Sequence, residues 1–375
     1  MRQPVICATD IDATDRELGA ARTLPGYVYS DPAVFAADCD RLFAGGWFCA
    51  GHGGQLDGAG DFVKIDVAAD SYLLCRQDDG SLQAFFNVCR HRGTRITGSE
   101  RGSCRRFVCP YHGWAYALDG GLCDSPLLPG GLQRDAHGLA PVGIAQWNGF
   151  VFLNPAGGAG PLERSLEDLP DLSRFRLPDQ QPVATKRYEV AANWKLIVEN
   201  FNECYHCALA HPELHRMSRG RVEVAEPQRG RAFTGGPMPL VEPNLSVSVS
   251  GRLAGPERDG VTDADRGLIY YYHLYPNLLL TIAPDYVMTH LVWPSSTAAS
   301  VVATTWYATA AQRASPQFGL AGVTEFWDRT NRQDWTLCET AQLGVSSRGH
   351  IPGPYHSDEQ CVHDFDRWYV REMNT

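Results

Sequence analysis

Two short cysteine–histidine pairs limit what this chain can fold into more than any other feature. The first pair is Cys89 and His91, in the run C-R-H-R-G, and the second is Cys109 and His112, in C-P-Y-H-G-W. Seventeen residues separate His91 from Cys109. Thiolate sulfur and imidazole nitrogen are donors that soft and borderline metals prefer. The four side chains therefore predict a metal centre held between two loops.

The spacing of the two pairs is typical of the Rieske [2Fe-2S] cluster, in which cysteines hold one iron and histidines hold the other. We therefore expect Cys89 and Cys109 to bind through sulfur, and His91 and His112 through nitrogen. Zinc sites, the main alternative, usually pair C-x-x-C with other spacings. Because two neutral imidazoles replace two thiolates, such a cluster has a raised potential and accepts an electron readily.

The residues around these loops predict a small antiparallel β domain from residue 43 to residue 155. Glycines at 93 and 113 provide turns close to the two histidines, and strand patterns flank both loops. A linker rich in Gly, Ala and Pro follows Asn154. We expect residues 1–42 and 160–375 to form a second domain, with the helical N-terminal segment packed on it.

Length, composition and charge set further limits on function. With 375 residues, 44% hydrophobic and 20% charged, the chain fits two soluble globular domains. Acidic residues occupy the start where a signal peptide needs an apolar run, so the cytoplasm is the expected location. A net charge of -10 argues against nucleic acid or an anionic membrane as partner. The 12 scattered cysteines favour reduced thiols and metal ligands over disulfides.

One segment has the opposite charge. Six arginines surround the cluster loops, with Glu100 as the single acid among them: Arg90, Arg92, Arg95, Arg101, Arg105 and Arg106. They form either an ordinary solvated surface or a docking patch for an acidic electron donor. The sequence leaves both interpretations open.

The second domain has the pattern of an α+β fold. Residues 267–311 form three runs rich in aromatic and β-branched residues, which predict paired strands. A helix is expected from Gly322 to Gly344. This order indicates a curved antiparallel sheet that wraps around a helix and leaves a cavity.

A second metal site is predicted in the segment N-F-N-E-C-Y-H-C-A-L-A-H-P. On a helix, the steps of three and five residues would place Glu203, His206 and His211 on one side. Two histidines and one carboxylate from elsewhere make the site of non-haem Fe(II) enzymes, which leaves positions open for dioxygen and substrate. The alternative is that both histidines are structural. A cysteine–histidine cluster in the same chain favours the iron site.

With both sites, the chain resembles the catalytic α subunit of the Rieske non-haem iron oxygenases over nearly its whole length. The runs N-W-K, E-C-Y-H-C and H-P-E-L are similar to glycine betaine monooxygenases and related demethylases of quaternary ammonium compounds. The resemblance implies a helix-grip catalytic domain whose third iron ligand is Asp334, with Asp328 and Glu339 as rivals. It also implies a head-to-tail homotrimer in which Glu203 reaches a cluster histidine, His112, of the neighbouring subunit.

The resemblance and the motifs together predict a terminal oxygenase. Because no G-x-G-x-x-G follows a strand, NAD(P)H and flavin are expected on a separate reductase. The expected reaction is oxidative N-demethylation of a betaine-like compound with O2. The alternative is hydroxylation of an aromatic ring or of another C-H bond. A third possibility is a Rieske electron carrier that catalyses no reaction itself. Four tyrosines in a predicted strand could bind a cation or fill the core: Tyr270, Tyr271, Tyr272 and Tyr275.

Overall fold

The computed structural model describes residues 5–126, 133–218 and 227–374. The chain divides into two compact units. One comprises residues 43–160, and the other combines residues 1–42 with residues 161–375. Part of the region 220–267, for which the sequence predicts no structure, lies outside the described residues.

The N-terminal segment contributes three short helices to the larger unit: α1 (Ala8–Thr14), α2 (Tyr27–Ser30) and α3 (Pro32–Asp38). The side chain of Asp31 caps α3 by accepting a hydrogen bond from the amide of Ala33, and a proline occupies the first turn. At the end of α3 the carboxylate of Asp38 is fully buried and forms an ion pair with Lys195. It also accepts a hydrogen bond from Trp194 at 3.0 Å, so this segment is anchored in the larger unit.

The smaller unit is entirely antiparallel. Its strands are β1 (Phe48–His52), β2 (Asp61–Val67), β3 (Asp70–Arg76), β4 (Leu82–Phe86), β5 (Arg101–Ser103), β6 (Phe107–Val108), β7 (Ala115–Tyr116), β8 (Leu122–Asp124), β9 (Pro141–Trp147) and β10 (Phe150–Asn154). Seven of them form a sheet in the order β1-β10-β9-β4-β3-β2-β5, and the other three form the sheet β6-β7-β8. The strands on either side of each cysteine–histidine loop therefore hold the loop between two rigid elements.

A hydrophobic core supports both loops of the smaller unit. Cys89 and Cys109 are part of this core, beside Phe62, Phe107 and Trp114. Burial of large aromatic side chains is the dominant favourable contribution to such a core. The positions of the two cysteines are thus fixed by packing and do not depend on the loops alone.

The larger unit is built on a second antiparallel sheet of seven strands, in the order β11-β17-β16-β15-β14-β13-β12. Its strands are β11 (Gln181–Val190), β12 (Gln228–Arg229), β13 (Phe233–Pro239), β14 (Leu268–Leu274), β15 (Leu278–Ile282), β16 (Val287–Ser296) and β17 (Ala299–Ala308). Its further helices are α4 (Leu162–Ser165), α5 (Trp194–Phe201), α6 (Cys207–Ala210), α7 (Pro212–Met217), α8 (Ala310–Ala314), α9 (Ala321–Val345) and α10 (Gln360–Glu372).

The long helix α9 packs against this sheet. Phe326 and Trp327 of the helix share a buried cluster with Tyr271 and Met288 of the sheet. A curved antiparallel sheet packed against a long helix is the arrangement that the sequence predicts. The α+β fold class is therefore confirmed.

Strand β13 is an element that the sequence pattern does not predict. It contains G-G-P-M-P, and glycine and proline are depleted in strands. A side chain at Gly235 would place a Cβ atom 2.2 Å from the carbonyl oxygen of Tyr271 on β14. Glycine is required there because the two strands approach so closely.

Candidate active site

The two loops of the smaller unit bring the predicted cluster ligands together. Nδ1 of His91 lies 3.1 Å from Nδ1 of His112, and both rings are exposed. Cys89 and Cys109 are only 3% and 2% exposed. Two sulfur donors therefore lie in the core and two nitrogen donors at the surface, which is a donor set that fits a Rieske cluster.

The two loops have the same backbone hydrogen bonds. In the first loop the amide of Cys89 donates to Thr94 at 2.8 Å, and the amide of Gly93 donates to Cys89 at 3.0 Å. In the second loop the amide of Cys109 donates to Trp114 at 2.8 Å. The glycines at 93 and 113 have φ of 75° and 72°, a region that only glycine adopts at little cost. The shared geometry explains why each pair is followed by a glycine.

Tyr116 is a residue of this site that the sequence analysis missed. Its hydroxyl lies 3.2 Å from Sγ of Cys89 and accepts a hydrogen bond from the amide of Arg90 at 3.0 Å. Burial, together with the neighbouring Cys89, raises the pKa of the Cys109 thiol. A metal that binds Cys109 would therefore have to displace its proton.

In the larger unit, His206, His211 and Asp334 converge. One ligand atom of each lies within 4.8 Å of the others. Nε2 of His206 is 3.1 Å from Nε2 of His211, and Oδ1 of Asp334 is 2.7 Å from the same His211 atom. Two imidazoles and one carboxylate on one side of a cavity match the ligand set of non-haem Fe(II) sites.

The chain reaches this site through a broken helix, which corrects one expectation. Glu203 lies in the turn after α5, His206 immediately precedes α6, and His211 lies between α6 and α7. The predicted single helix was wrong: α5 already ends at Phe201, and Pro212 disfavours the helical conformation at His211, the residue before it. His211 accordingly has φ -130° and ψ 67°.

Hydrogen bonds orient both imidazoles. Nδ1 of His206 donates to the carboxylate of Glu203, and Nδ1 of His211 donates to Oε1 of Gln333 at 2.8 Å. Each Nε2 is thereby left for a metal, the arrangement that metal-binding histidines commonly show. Gln333 was not predicted, although it directly precedes Asp334.

Histidines and carboxylates at this site shift the pKa values of one another. Burial disfavours a charged His206, but Asp334 and Glu203 outweigh it and raise the pKa of His206 to about 10. Asp334 likewise raises the pKa of His211 against the effect of burial. Burial also opposes the charge of Asp334, and the two histidines nevertheless hold its pKa below the usual range. In the metal-free site the carboxylates and the protonated imidazoles therefore stabilise one another.

The two rivals of Asp334 are engaged elsewhere. Asp328 accepts a hydrogen bond from Tyr188 at 2.8 Å and forms an ion pair with Lys186 at 2.6 Å. Glu339 accepts a hydrogen bond from the amide of Ala191 at 3.1 Å. Among the described residues, the side chains close enough together to hold a metal ion are His206, His211 and Asp334. Neither Asp328 nor Glu339 belongs to this group.

A cavity of about 100 Å³ adjoins the three ligands, and we call it the active-site cavity. Its described lining residues are apolar, aromatic, neutral polar and acidic side chains together with three histidines: Ile197, Asn200, Phe201, Asn202, Glu203, Cys204, His206, Cys207, His211, Leu214, Ser218, Met238, Tyr271, Leu279, His290, Trp327, Thr330, Asn331, Asp334, Trp335 and Asp358. These residues include neither lysine nor arginine. The lining therefore offers aromatic surface, three carboxylates and three histidines to a small molecule.

Only one of the four predicted tyrosines reaches the described wall of this cavity. That residue is Tyr271. Tyr270 donates a hydrogen bond to Asp265 at 2.6 Å, and Tyr272 donates to Gln228 at 2.7 Å. Tyr275 packs its ring against that of Trp368. The core interpretation holds for these three, and Tyr271 belongs to the site.

A disulfide joins Cys204 and Cys207 in the segment that carries His206. The expectation of reduced thiols throughout was therefore wrong for this pair. The turn after α5 brings the two Cα atoms to 4.9 Å, within the range that a disulfide requires. Both cysteines line the active-site cavity.

Comparison with known proteins identifies the class of protein that this fold and site define. Residues 177–375 match the family of ring hydroxylating alpha subunits, in their catalytic domain, and residues 46–134 match the Rieske [2Fe-2S] domain. The chain belongs to the ring-hydroxylating alpha subunits. It is a Rieske non-haem iron oxygenase subunit that uses O2 and requires a separate reductase, so the predicted enzyme class and cofactors are confirmed.

Three relatives indicate which members of the family the chain is similar to. The glycine betaine monooxygenase oxygenase subunit of Pseudomonas aeruginosa is 29% identical over 94% of this chain and 89% of its own length. The carnitine monooxygenase oxygenase subunit of Escherichia coli is 35% identical over 51% of this chain and 53% of its own length. Choline monooxygenase of Arabidopsis thaliana is 27% identical over 93% of this chain and 82% of its own length.

Solved structures share the fold across almost the whole chain. The quaternary ammonium Rieske monooxygenase CntA in complex with L-carnitine has a TM-score of 0.73 at 22% identity, covering 96% of this chain and 97% of its own. Naphthalene 1,2-dioxygenase from Rhodococcus sp. has a TM-score of 0.75 at 19% identity and covers 94% of each chain. Among the described residues, no helix has the length and apolar character needed to span a membrane.

Proposed function

We propose that this oxygenase oxidises an N-methyl group of a small, betaine-like quaternary ammonium compound. The observation that carries the proposal is the chemistry of the active-site cavity. Its described wall combines Tyr271 and Trp327 with acidic side chains and contains neither lysine nor arginine. The two rings are 6.4 Å apart at 70°, so they form a corner of aromatic surface of the kind that attracts ammonium cations.

We further propose roles for the site residues. Cys89, Cys109, His91 and His112 would hold the [2Fe-2S] cluster, which accepts single electrons when bound. His206, His211 and Asp334 would hold Fe(II), which supplies O2 activation when bound. Both assignments are supported by donor sets of suitable type and spacing. Residues 43–155 and the remainder of the chain would then be the electron-accepting and catalytic domains.

Glu203 has two parts in this proposal. Within its own subunit it fixes the ring of His206 by accepting the Nδ1 hydrogen. In a homotrimer it would also reach His112 of the neighbouring subunit and link the two metal sites. What supports this is its position three residues before His206, which matches the bridging carboxylate that the family resemblance implies.

The proposed reaction balances with one O2, two electrons and two protons. One oxygen atom enters the methyl C–H bond to give an N-hydroxymethyl cation, and the other leaves as water. The carbinol then breaks its C–N bond, releasing formaldehyde, a proton and a tertiary amine. The residues of the cavity contribute by binding the cation beside the reacting methyl group and by excluding bulk water.

Electrons would come from a flavin and iron-sulfur reductase that uses NAD(P)H. The sequence contains no dinucleotide-binding motif, and its relatives include the oxygenase subunit of glycine betaine monooxygenase. Both observations support a separate reductase. The cytoplasm is the proposed location, since NAD(P)H is available there.

A substrate panel tests this proposal. The purified protein, a Rieske-oxygenase reductase, NADH and O2 are incubated with glycine betaine, carnitine, γ-butyrobetaine and choline, and with naphthalene and benzoate as aromatic alternatives. We expect substrate-dependent O2 uptake with release of formaldehyde for at least one of the betaines. Coupled O2 uptake with an aromatic compound alone would instead support ring hydroxylation.

A further inference from the structure

The disulfide between Cys204 and Cys207 closes a small ring in the segment that carries His206. The bonded residues are three positions apart, and Glu203 directly precedes the ring. A disulfide stabilises a fold chiefly when it closes a long loop, because the entropy lost by the unfolded chain grows with loop length. This bond joins the turn after α5 to the start of α6 and ties no distant elements together. Stabilisation of the fold is therefore a poor account of it.

The bond is also unusual for the proposed location of the protein. All twelve cysteines lie in the described parts of the chain, and Cys204 and Cys207 are the pair that is joined. In the cytoplasm, thiol pools keep most cysteines reduced, and the disulfides that do occur there are usually transient and serve catalysis or redox sensing. A disulfide of this kind is one that opens and closes.

The ring contains the groups that hold Glu203. The amides of Tyr205 and His206, both inside the ring, donate hydrogen bonds to the carboxylate of Glu203, the second of them at 3.2 Å. Nδ1 of His206 donates to the same carboxylate, and Nε2 of the ring lies 3.1 Å from Nε2 of His211. The disulfide thus fixes the short backbone segment on which the position of one proposed iron ligand depends.

The two bonded cysteines differ in burial. Cys207 is 3% exposed and belongs to a hydrophobic cluster, whereas Cys204 is half-buried and packs against that cluster. Both residues line the active-site cavity. Because access decides which sulfur atom of a disulfide is attacked, Cys204 is the side that a small thiol meets first and Cys207 is the leaving group.

We propose that Cys204 and Cys207 form a reversible thiol–disulfide switch that sets the affinity of the iron site for Fe(II). The inference rests on the proposed ligand role of His206. With the bond closed, Glu203 holds the imidazole in the orientation described above. With the bond open, the two sulfur atoms cannot remain at bonding distance, so the backbone between them relaxes and the ligand is oriented less well.

Both directions of the switch balance in atoms and electrons. An external thiolate attacks Sγ of Cys204, the S–S bond breaks, and Cys207 leaves as a thiolate that takes up a proton. A second external thiol releases Cys204 and departs in an external disulfide, so two electrons and two protons have been delivered. A peroxide reverses the change. One thiol takes an oxygen atom to become a sulfenic acid and releases water, and the other thiol then forms the S–S bond and releases a second water.

Fe(II) titration of the two redox states tests the switch. The cluster-containing protein is stripped of mononuclear iron, and one sample is oxidised with diamide while another is reduced with a phosphine. After removal of the reagents, alkylation and mass spectrometry report whether the peptide with Cys204 and Cys207 carries thiols. We expect the reduced protein to bind Fe(II) about tenfold or more weakly under anaerobic conditions, and renewed oxidation to restore the affinity.

Serine variants and one control complete the experiment. Cys204→Ser prevents the bond, and the double variant with Cys207→Ser removes both thiols. Each should bind Fe(II) like the reduced wild-type protein and should respond to neither reagent. Cys7→Ser removes an exposed thiol from the same unit and should respond as the wild type does. Circular dichroism confirms that each variant is folded, and if a serine variant does not fold, the two states of the wild-type protein decide.

The outcomes separate this inference from the proposed function. Equal Fe(II) affinity in the two wild-type states, or tighter binding in the reduced state, overturns the switch while the iron site stands. A bond that the phosphine does not open in the folded protein, or that diamide does not close again, also overturns it. The same holds if folded serine variants keep the affinity of the oxidised protein. If neither state binds Fe(II), the ligand assignment fails and the switch fails with it.

Discussion

Nδ1 of His206 donates a hydrogen bond to the carboxylate of Glu203, while Nε2 of the same ring lies 3.1 Å from Nε2 of His211. One side of the imidazole is thus held by an acid three residues earlier, and the other faces the proposed iron site. A residue that orients a ligand in this way affects the metal without binding it.

Replacing Glu203 by glutamine tests this role. Glutamine keeps the size and can still accept from Nδ1, but it loses the charge and the charge-assisted hydrogen bond. We expect iron content to be retained and reoxidation of the reduced cluster, in a single turnover with substrate and O2, to slow by about tenfold to a hundredfold. Glu213→Gln, at a partly exposed position in the same segment, is the control. Reoxidation at the wild-type rate in Glu203→Gln would remove Glu203 from the proposed link between the sites.

The assignment of Asp334 is tested by its removal. Asp334→Ala takes away the only carboxylate in the three-residue group and leaves two histidines, so we expect loss of iron and a fall in turnover of more than about a hundredfold. The cluster spectrum should remain. Asp328→Ala should keep its iron, because Asp328 is paired with Lys186. Full iron and activity in Asp334→Ala would show that another residue is the ligand.

Metal binding should depend on pH. In the metal-free protein burial opposes the charge of His206, but Asp334 and Glu203 raise its pKa to about 10, so this ring holds a proton that a metal must displace. Below the raised pKa, each displaced proton should weaken apparent Fe(II) affinity about tenfold per unit fall in pH. Anaerobic titration at about pH 6.5 and about pH 8.5, with proton release measured, checks this. Equal affinity at both values without proton release would argue against binding by this histidine.

The arginines near the cluster loops give a prediction about the reductase. All six are exposed, and only part of this charge is paired, as in the contact of Arg95 with Asp66 at 3.4 Å. If they guide an acidic donor, the second-order rate of cluster reduction should fall steeply with salt, because charges are screened over about 8 Å at physiological ionic strength. Reduction by a small uncharged reductant serves as the control. A salt-insensitive rate with the protein reductase would indicate an ordinary surface.

The cluster site and the iron site differ in how far the sequence predicts them. The cluster ligands come from two local loops whose glycines and flanking strands are visible in the sequence. The iron site needs Asp334 from a helix more than a hundred residues after His211, and helix periodicity together with family resemblance was needed to select it. The structure brings these residues together, but Pro212 breaks the predicted single helix.

The wall of the cavity could not be predicted from the sequence. It depends on the register between β13 and β14, and β13 contains glycine and proline where a strand pattern would show alternating side chains. The four tyrosines of one strand pattern look equivalent in sequence, yet only Tyr271 lines the cavity.

The central claim is that one chain couples electron storage at a Rieske cluster to oxidation of a quaternary ammonium compound. The most direct test is a single turnover without any reductase. The purified protein is reduced chemically, freed of reductant, mixed with O2 and a compound from the panel, and followed by the cluster spectrum and by formaldehyde assay. We predict cluster reoxidation that depends on the compound, accompanied by formaldehyde in proportion to iron. Reoxidation at the same rate with and without every quaternary ammonium compound, and without formaldehyde, would contradict the account.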